Sequence, residues 1–112
     1  MITAMDARSY GFMVFRTHSA IFQPQLAIAG VRHIRVDLPG FGASKPTSVG
    51  VGMADYSREI IAVLDHLHLD KVIAAGISMG GYIAMQMLRD APRRIEGVIL
   101  IDTRGSTPCC PR

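Results

Sequence analysis

A chain of 112 residues has room for one domain, and with 49% hydrophobic against 19% charged residues it can bury a core, which excludes a disordered or fibrous protein. Twelve Lys and Arg against nine Asp and Glu give a formal charge of +3. The basic residues are nevertheless scattered, with Arg93-Arg94 the only adjacent pair, so no nucleic-acid partner is expected.

Cys109 and Cys110 are neighbours in a Pro-flanked tail, with the spacing of neither a metal site nor a disulfide framework, and a reducing cytoplasm is the expected compartment. Asp6 and Arg8 fall within the first ten residues without an apolar core and cleavage site after them, so no signal peptide is expected. Val72 to Leu88 carries no charge, but Gly76, Ser78, Gly80, Gly81 and Gln86 dilute it and it is short for a membrane span. No membrane association is expected.

In chain order, the apolar run Gly11 to Phe15 predicts a first buried strand. Ile21, Phe22, Leu26 and Ile28 predict a short helix that stops at Gly30. A second strand over His33 to Val36 opens into the turn-rich Asp37-Leu38-Pro39-Gly40-Phe41-Gly42, a loop that runs to about Gly52. From Met53 to Leu69, Tyr56, Ile60, Val63, Leu64 and Leu67 share one face of a helix, with Asp55 and Glu59 near its positive end. Val72 to Ala75 predicts a strand, Gly80 to Arg89 a helix that stops before Ala91-Pro92, and Val98 to Ile101 a last strand. Strands that are apolar throughout and alternate with helices predict an α/β fold, a parallel sheet with helices on both faces.

Gly76-Ile77-Ser78-Met79-Gly80 fits G-x-S-x-G and falls between a predicted strand and a predicted helix, the context that gives the motif its meaning. Small residues beside the serine let strand and helix approach closely, so a β-carbon at Gly76 or Gly80 would collide. The turn lifts the Ser78 hydroxyl above the carboxyl ends of the strands and aims the Met79 backbone N–H at the space where an oxyanion forms. The plainer reading of Ser78 is an N-cap for the following helix.

Three blocks, DLPGFGAS at Asp37 to Ser44, GISMGGY at Gly76 to Tyr82 and VILIDT at Val98 to Thr103, resemble the α/β-hydrolase family in order and spacing. The resemblance runs from about Phe22 to Arg104. It implies a serine hydrolase of the esterase or lactonase kind, acting on a small carboxylic ester by acyl transfer to water without a cofactor or metal. Ser78 is then the catalytic nucleophile, Met79 the oxyanion donor, and Asp37 a structural residue of its loop.

The family's catalytic order is serine, acid, histidine, whereas His18, His33, His66 and His68 all precede Ser78. His66 and His68 end a helix antiparallel to the strands and His33 stands at the start of its strand, which places all three at the end of the sheet opposite Ser78. The i, i+2 spacing of His66 and His68 also separates them around the helix, against a zinc pair. His18 follows the first strand and is the candidate base. Asp102, just past the last strand, is a candidate acid, because some family members carry the acid there and most carry it after the following strand.

Met13-Val14 stands where the family places a His-Gly pair, and residues 1–20 look foreign to it. After Thr103 apolar periodicity stops, so residues 105–112 read as a truncation or frame change and the chain as a single partial hydrolase domain, an incomplete α/β-hydrolase fold. The family's strand order puts the second and fourth strands at the sheet edges. Unpaired apolar edges of that kind favour self-association or a complementing chain, and the alternative to a working esterase is a non-catalytic fragment.

Overall fold

The computed structural model describes residues 11–16, 32–41, 43–46 and 52–104. Strands β1 (Gly11–Arg16), β2 (Arg32–Asp37), β3 (Val72–Ile77) and β4 (Ile95–Ile101) form one sheet with helices α1 (Met53–His66) and α2 (Met79–Asp90). All pairings are parallel and the order is β2-β1-β3-β4, which puts β2 and β4 at the edges, as expected. The helix expected over Ile21 to Gly30 lies outside the described residues.

Register decides which side chains meet. Ile34, Met13, Ala74 and Val98 are in line across the four strands, so the sheet positions of this row share one face. Val72 and Ala74 on that face form a core with Tyr56, Ile60 and Leu64 of α1 and Ile83, Ala84 and Met87 of α2, and Ile34, Val36 and Val98 pack against it. Both described helices therefore cover the same face of the sheet. Ala75 points the other way and is buried outside this cluster.

The helices are also joined by polar contacts. Buried Ser57 donates its hydroxyl to Asp90 at 2.6 Å, and Gln86 donates to the other oxygen of that carboxylate at 2.9 Å. These donors offset the unfavourable placement of an acid at the negative end of α2. At the start of α1, the Asp55 carboxylate accepts the Gly52 N–H at 2.8 Å and satisfies an amide that the helix leaves open.

Two boundaries depart from the sequence reading, each for a local reason. The last strand starts at Ile95 instead of Val98, because a bulge between the Val72 and Ile73 pairings absorbs Glu96 and hides the early part of the strand behind a charge. The first helix ends at His66 instead of Leu69. His68 donates to the Asp65 carbonyl at 3.1 Å and Leu69 to the Leu64 carbonyl at 2.9 Å, a Schellman closure with His68 in the left-handed region at φ 55°. Glycine usually marks that position, so a histidine there conceals the stop.

The amino end of the sheet is then tied by Arg94, in the 3-10 turn Pro92–Arg94. Its guanidinium donates to the Leu69 and Asp70 carbonyls and to the Asp65 carboxylate, each at 2.7 Å. Replacing the strained left-handed residue should help this end. His68→Gly is expected to raise unfolding free energy by about 0.5 to 1 kcal/mol in urea titration, the residual of relieved strain after the added unfolded-state entropy of glycine.

Candidate active site

Parallel pairing brings the carboxyl ends of all four strands to one edge, so whatever follows Asp37, Ile77 and Ile101 is gathered there. After β2, the loop is shaped by Asp37. Its carboxylate accepts the Ala43 N–H at 2.9 Å and its carbonyl accepts the Ser44 hydroxyl at 2.6 Å. Gly40 in that loop has φ 86°, a conformation suited to glycine. Asp37 is occupied with its own loop.

After β3 the chain turns directly into α2 through Ser78, which has φ 52° and ψ −115°. A non-glycine residue in such a conformation is strained and persists only where its surroundings over-determine it. The enabling contact lies at Gly76, where an added β-carbon would fall inside contact distance of the Gly80 carbonyl group and the Gly81 nitrogen. Gly81 has a similar role that the motif does not reveal. A β-carbon there would run into the Thr103 side chain, which comes from beyond β4.

Ser78 is at the N-cap position of α2, yet its side chain makes no capping hydrogen bond. The plainer reading of this serine as a helix cap therefore fails on geometry. The side chain is exposed instead, at an open depression of about 370 Å³ lined by Ser78, Tyr82, Asp102, Thr103 and Arg104. Met79 is the first residue of α2, so its N–H has no acceptor within the helix.

The expected residues are thus brought together in part. Ser78, Met79 and Asp102 meet at the carboxyl edge. His18 lies outside the described residues. His33 is the second residue of β2, which begins at Arg32, and its pairing with Phe12 keeps it at the amino end. His66 and His68 are exposed beyond the amino end of β3, a strand of six residues that separates them from Ser78 by about 20 Å. A second depression of about 420 Å³ at that end, lined in part by Asp65, His68 and Arg94, holds no hydroxyl or thiol nucleophile among its lining residues.

Asp102 is exposed and has φ 49°, a left-handed turn that aspartate tolerates better than most residues. Its backbone turns the chain after β4 so that Thr103 folds back against the Ser78 turn, and Asp102 itself is among the residues that line the depression. Tyr82, Thr103 and Arg104 were not singled out for roles by the sequence, because nothing in residue type or spacing says that a residue past β4 reaches α2. The second glycine of Gly80-Gly81 is the one signal that a neighbour comes close.

Residues 12–110 match the family model for the alpha/beta hydrolase fold. The pimeloyl-acyl-carrier-protein methyl ester esterase of Shewanella oneidensis is 39% identical over 95 residues, 82% of this chain and 32% of that protein. Among solved structures, a thermophilic esterase from Thermogutta terrifontis superimposes with a TM-score of 0.59 at 32% identity, over 70% of this chain and 29% of the other. Est816, described as an N-acyl homoserine lactone degrading enzyme, gives a TM-score of 0.59 at 29% identity, over 69% of this chain and 32% of its own. The chain spans about a third or less of the length of the curated relatives it matches. No helix among the described residues is long and apolar enough to cross a membrane.

The geometry of the turn makes a direct forecast. Gly76→Ala is expected to lower unfolding free energy by about 3 kcal/mol or more, read as a lower urea midpoint, because the clash is with backbone that cannot rotate away.

Proposed function

Because this chain belongs to the alpha/beta hydrolase fold family, we propose that it carries the nucleophile half of a serine hydrolase acting on a small carboxylic ester or lactone. The observation that carries the reading is Ser78, exposed at the carboxyl edge in a strained turn and free of the capping bond that would explain it otherwise. Methyl ester esterase and lactone-degrading activities among the similar proteins support this substrate class.

In the proposed reaction Ser78 Oγ bonds to the acyl carbon and loses its proton to a base, while the Met79 N–H donates to the developing oxyanion. Collapse expels the alcohol, which takes up the proton, and water then releases the acid by the same route. His18 is the proposed base, two positions beyond β1, and Asp102 the acid that orients it. No cofactor or metal enters this scheme, and the cytoplasm is the proposed compartment on the cysteine usage.

Fluorophosphonate labelling tests the assignment. One labelled serine is expected, lost in Ser78→Ala, and labelling that persists in that variant would refute it. Turnover of simple esters is expected only slightly above background, and His18→Ala should abolish what there is. An unchanged rate in His18→Ala would remove this histidine from the mechanism.

The second reading, a chain that works only with a complement, is favoured by the outer edge of β4. Ile99, Leu100 and Ile101 are 42%, 36% and 39% exposed, and β4 has no outer partner among the described residues. Leu100 lies in the row of Gly76 on the helix side, and Ile99 and Ile101 lie on the opposite face, so both faces of the edge are apolar. Such an edge pairs readily with another chain. Sedimentation is expected to show concentration-dependent self-association, and a monomer with a sharp melting transition would count against this reading.

A further inference from the structure

Ser78 is held from outside its own strand and helix. Its N–H donates to the Ile101 carbonyl at 2.9 Å, which carries the β3–β4 pairing one residue past the strand end. Its carbonyl accepts the Gly81 N–H at 3.0 Å and the Thr103 hydroxyl at 3.0 Å. The same hydroxyl lies 3.0 Å from the Ile101 carbonyl, so its single proton is shared between the end of β4 and the elbow. The N–H of the strained residue is thus anchored to the last residue of β4 and its carbonyl to Thr103 just beyond it.

The carbonyl of Ser78 and the N–H of Met79 belong to one planar peptide unit. Fixing the carbonyl end of that plane fixes the direction of the N–H at its other end. A carbonyl that accepts a hydrogen bond also strengthens its own amide as a donor, since polarisation passes through the peptide. We infer that Thr103 is a positioning residue for the oxyanion donor: its hydroxyl orients and polarises the Ser78–Met79 peptide whose N–H faces the reacting carbonyl. This rests on the reading of Ser78 as nucleophile.

Two features fit this role. Gly81 lacks the β-carbon that would occupy the place of Thr103, so α2 is built to admit that side chain. Asp102 takes a left-handed turn that brings Thr103 back under the elbow instead of continuing β4 outward. Both are local concessions, one in helix propensity and one in backbone strain, and both serve the placement of one hydroxyl.

The test uses the 112-residue chain with Thr103→Val, which keeps the shape and removes the donor, and Thr103→Ser, which keeps the donor. The rate of fluorophosphonate labelling at Ser78 is expected to fall about tenfold in the Val variant, a smaller loss than removal of an oxyanion donor itself. The Ser variant should stay within about twofold of the unaltered chain. Amide hydrogen exchange supplies a readout independent of reactivity, with the Ser78 and Gly81 amides exchanging faster in Thr103→Val and at the original rate in Thr103→Ser. Should the Val variant lose its cooperative melt, Thr103→Ala takes its place, since it puts no bulk against Gly81. Equal labelling and equal exchange in the donor-lacking and unaltered chains would overturn the inference. If Ser78 of the unaltered chain takes no label, the nucleophile reading fails separately, and unchanged exchange then overturns the role of Thr103 as well.

Discussion

The close approach of α2 to β3 at Gly76 is the constraint on which the rest of the described structure depends. With no β-carbon at Gly76, the Gly80 carbonyl of α2 can pass against the strand, and the chain reverses from strand to helix through the single residue Ser78. That residue then takes φ 52°, a strain of about 1 to 3 kcal/mol. The strain is offset by what the short turn allows. α2 lies near enough to the sheet to bury Ile83, Ala84 and Met87 completely, and the two larger side chains contribute about 1.5 to 3 kcal/mol each.

The two ends of the sheet divide the work accordingly. At the amino end, polar groups are consumed by structure, with Arg94 bonded to three acceptors and His68 used to close α1. At the carboxyl end, the exposed groups of Ser78, Asp102 and Arg104 surround an open depression. Both Ser78 and Asp102 have positive φ there. Two of the three non-glycine residues with positive φ among the described residues lie at the edge that holds Ser78, the pattern of a site in which geometry is kept at some cost to stability.

The sequence made the centre of this arrangement legible and its margins less so. Apolar or alternating runs around Phe12, Ile34, Ile73 and Ile99 mark the four strands, and the glycine spacing around Ser78 marks the strand-to-helix turn, because these features are local in sequence. The start of β4 is concealed by Glu96, since a bulge suspends the apolar pattern that would reveal it. The end of α1 is concealed by His68, which adopts a conformation usually announced by glycine. Thr103 was visible as part of an apolar block but not as a partner of Ser78. Their contact joins residues 25 apart in sequence through a turn at Asp102, and only the fold brings them together.

That contact also couples Ser78, the proposed nucleophile, to the exposed side of the molecule. The Ser78 N–H and carbonyl are both bonded to the segment Ile101 to Thr103, at the end of the strand whose outer edge is unpaired among the described residues. Fraying of β4 from that edge releases both anchors, and the strained turn then has less to hold it than α2 alone provides. Pairing at the outer edge acts in the opposite sense, because anything that binds only the ordered strand shifts the population toward it. Order at the edge and geometry at Ser78 are therefore linked by reciprocity, so a ligand that rigidifies the elbow must in turn favour the ordered form of β4. A strained turn anchored to an edge strand makes the geometry at Ser78, and with it the proposed role of that serine, a property of how well that edge is covered.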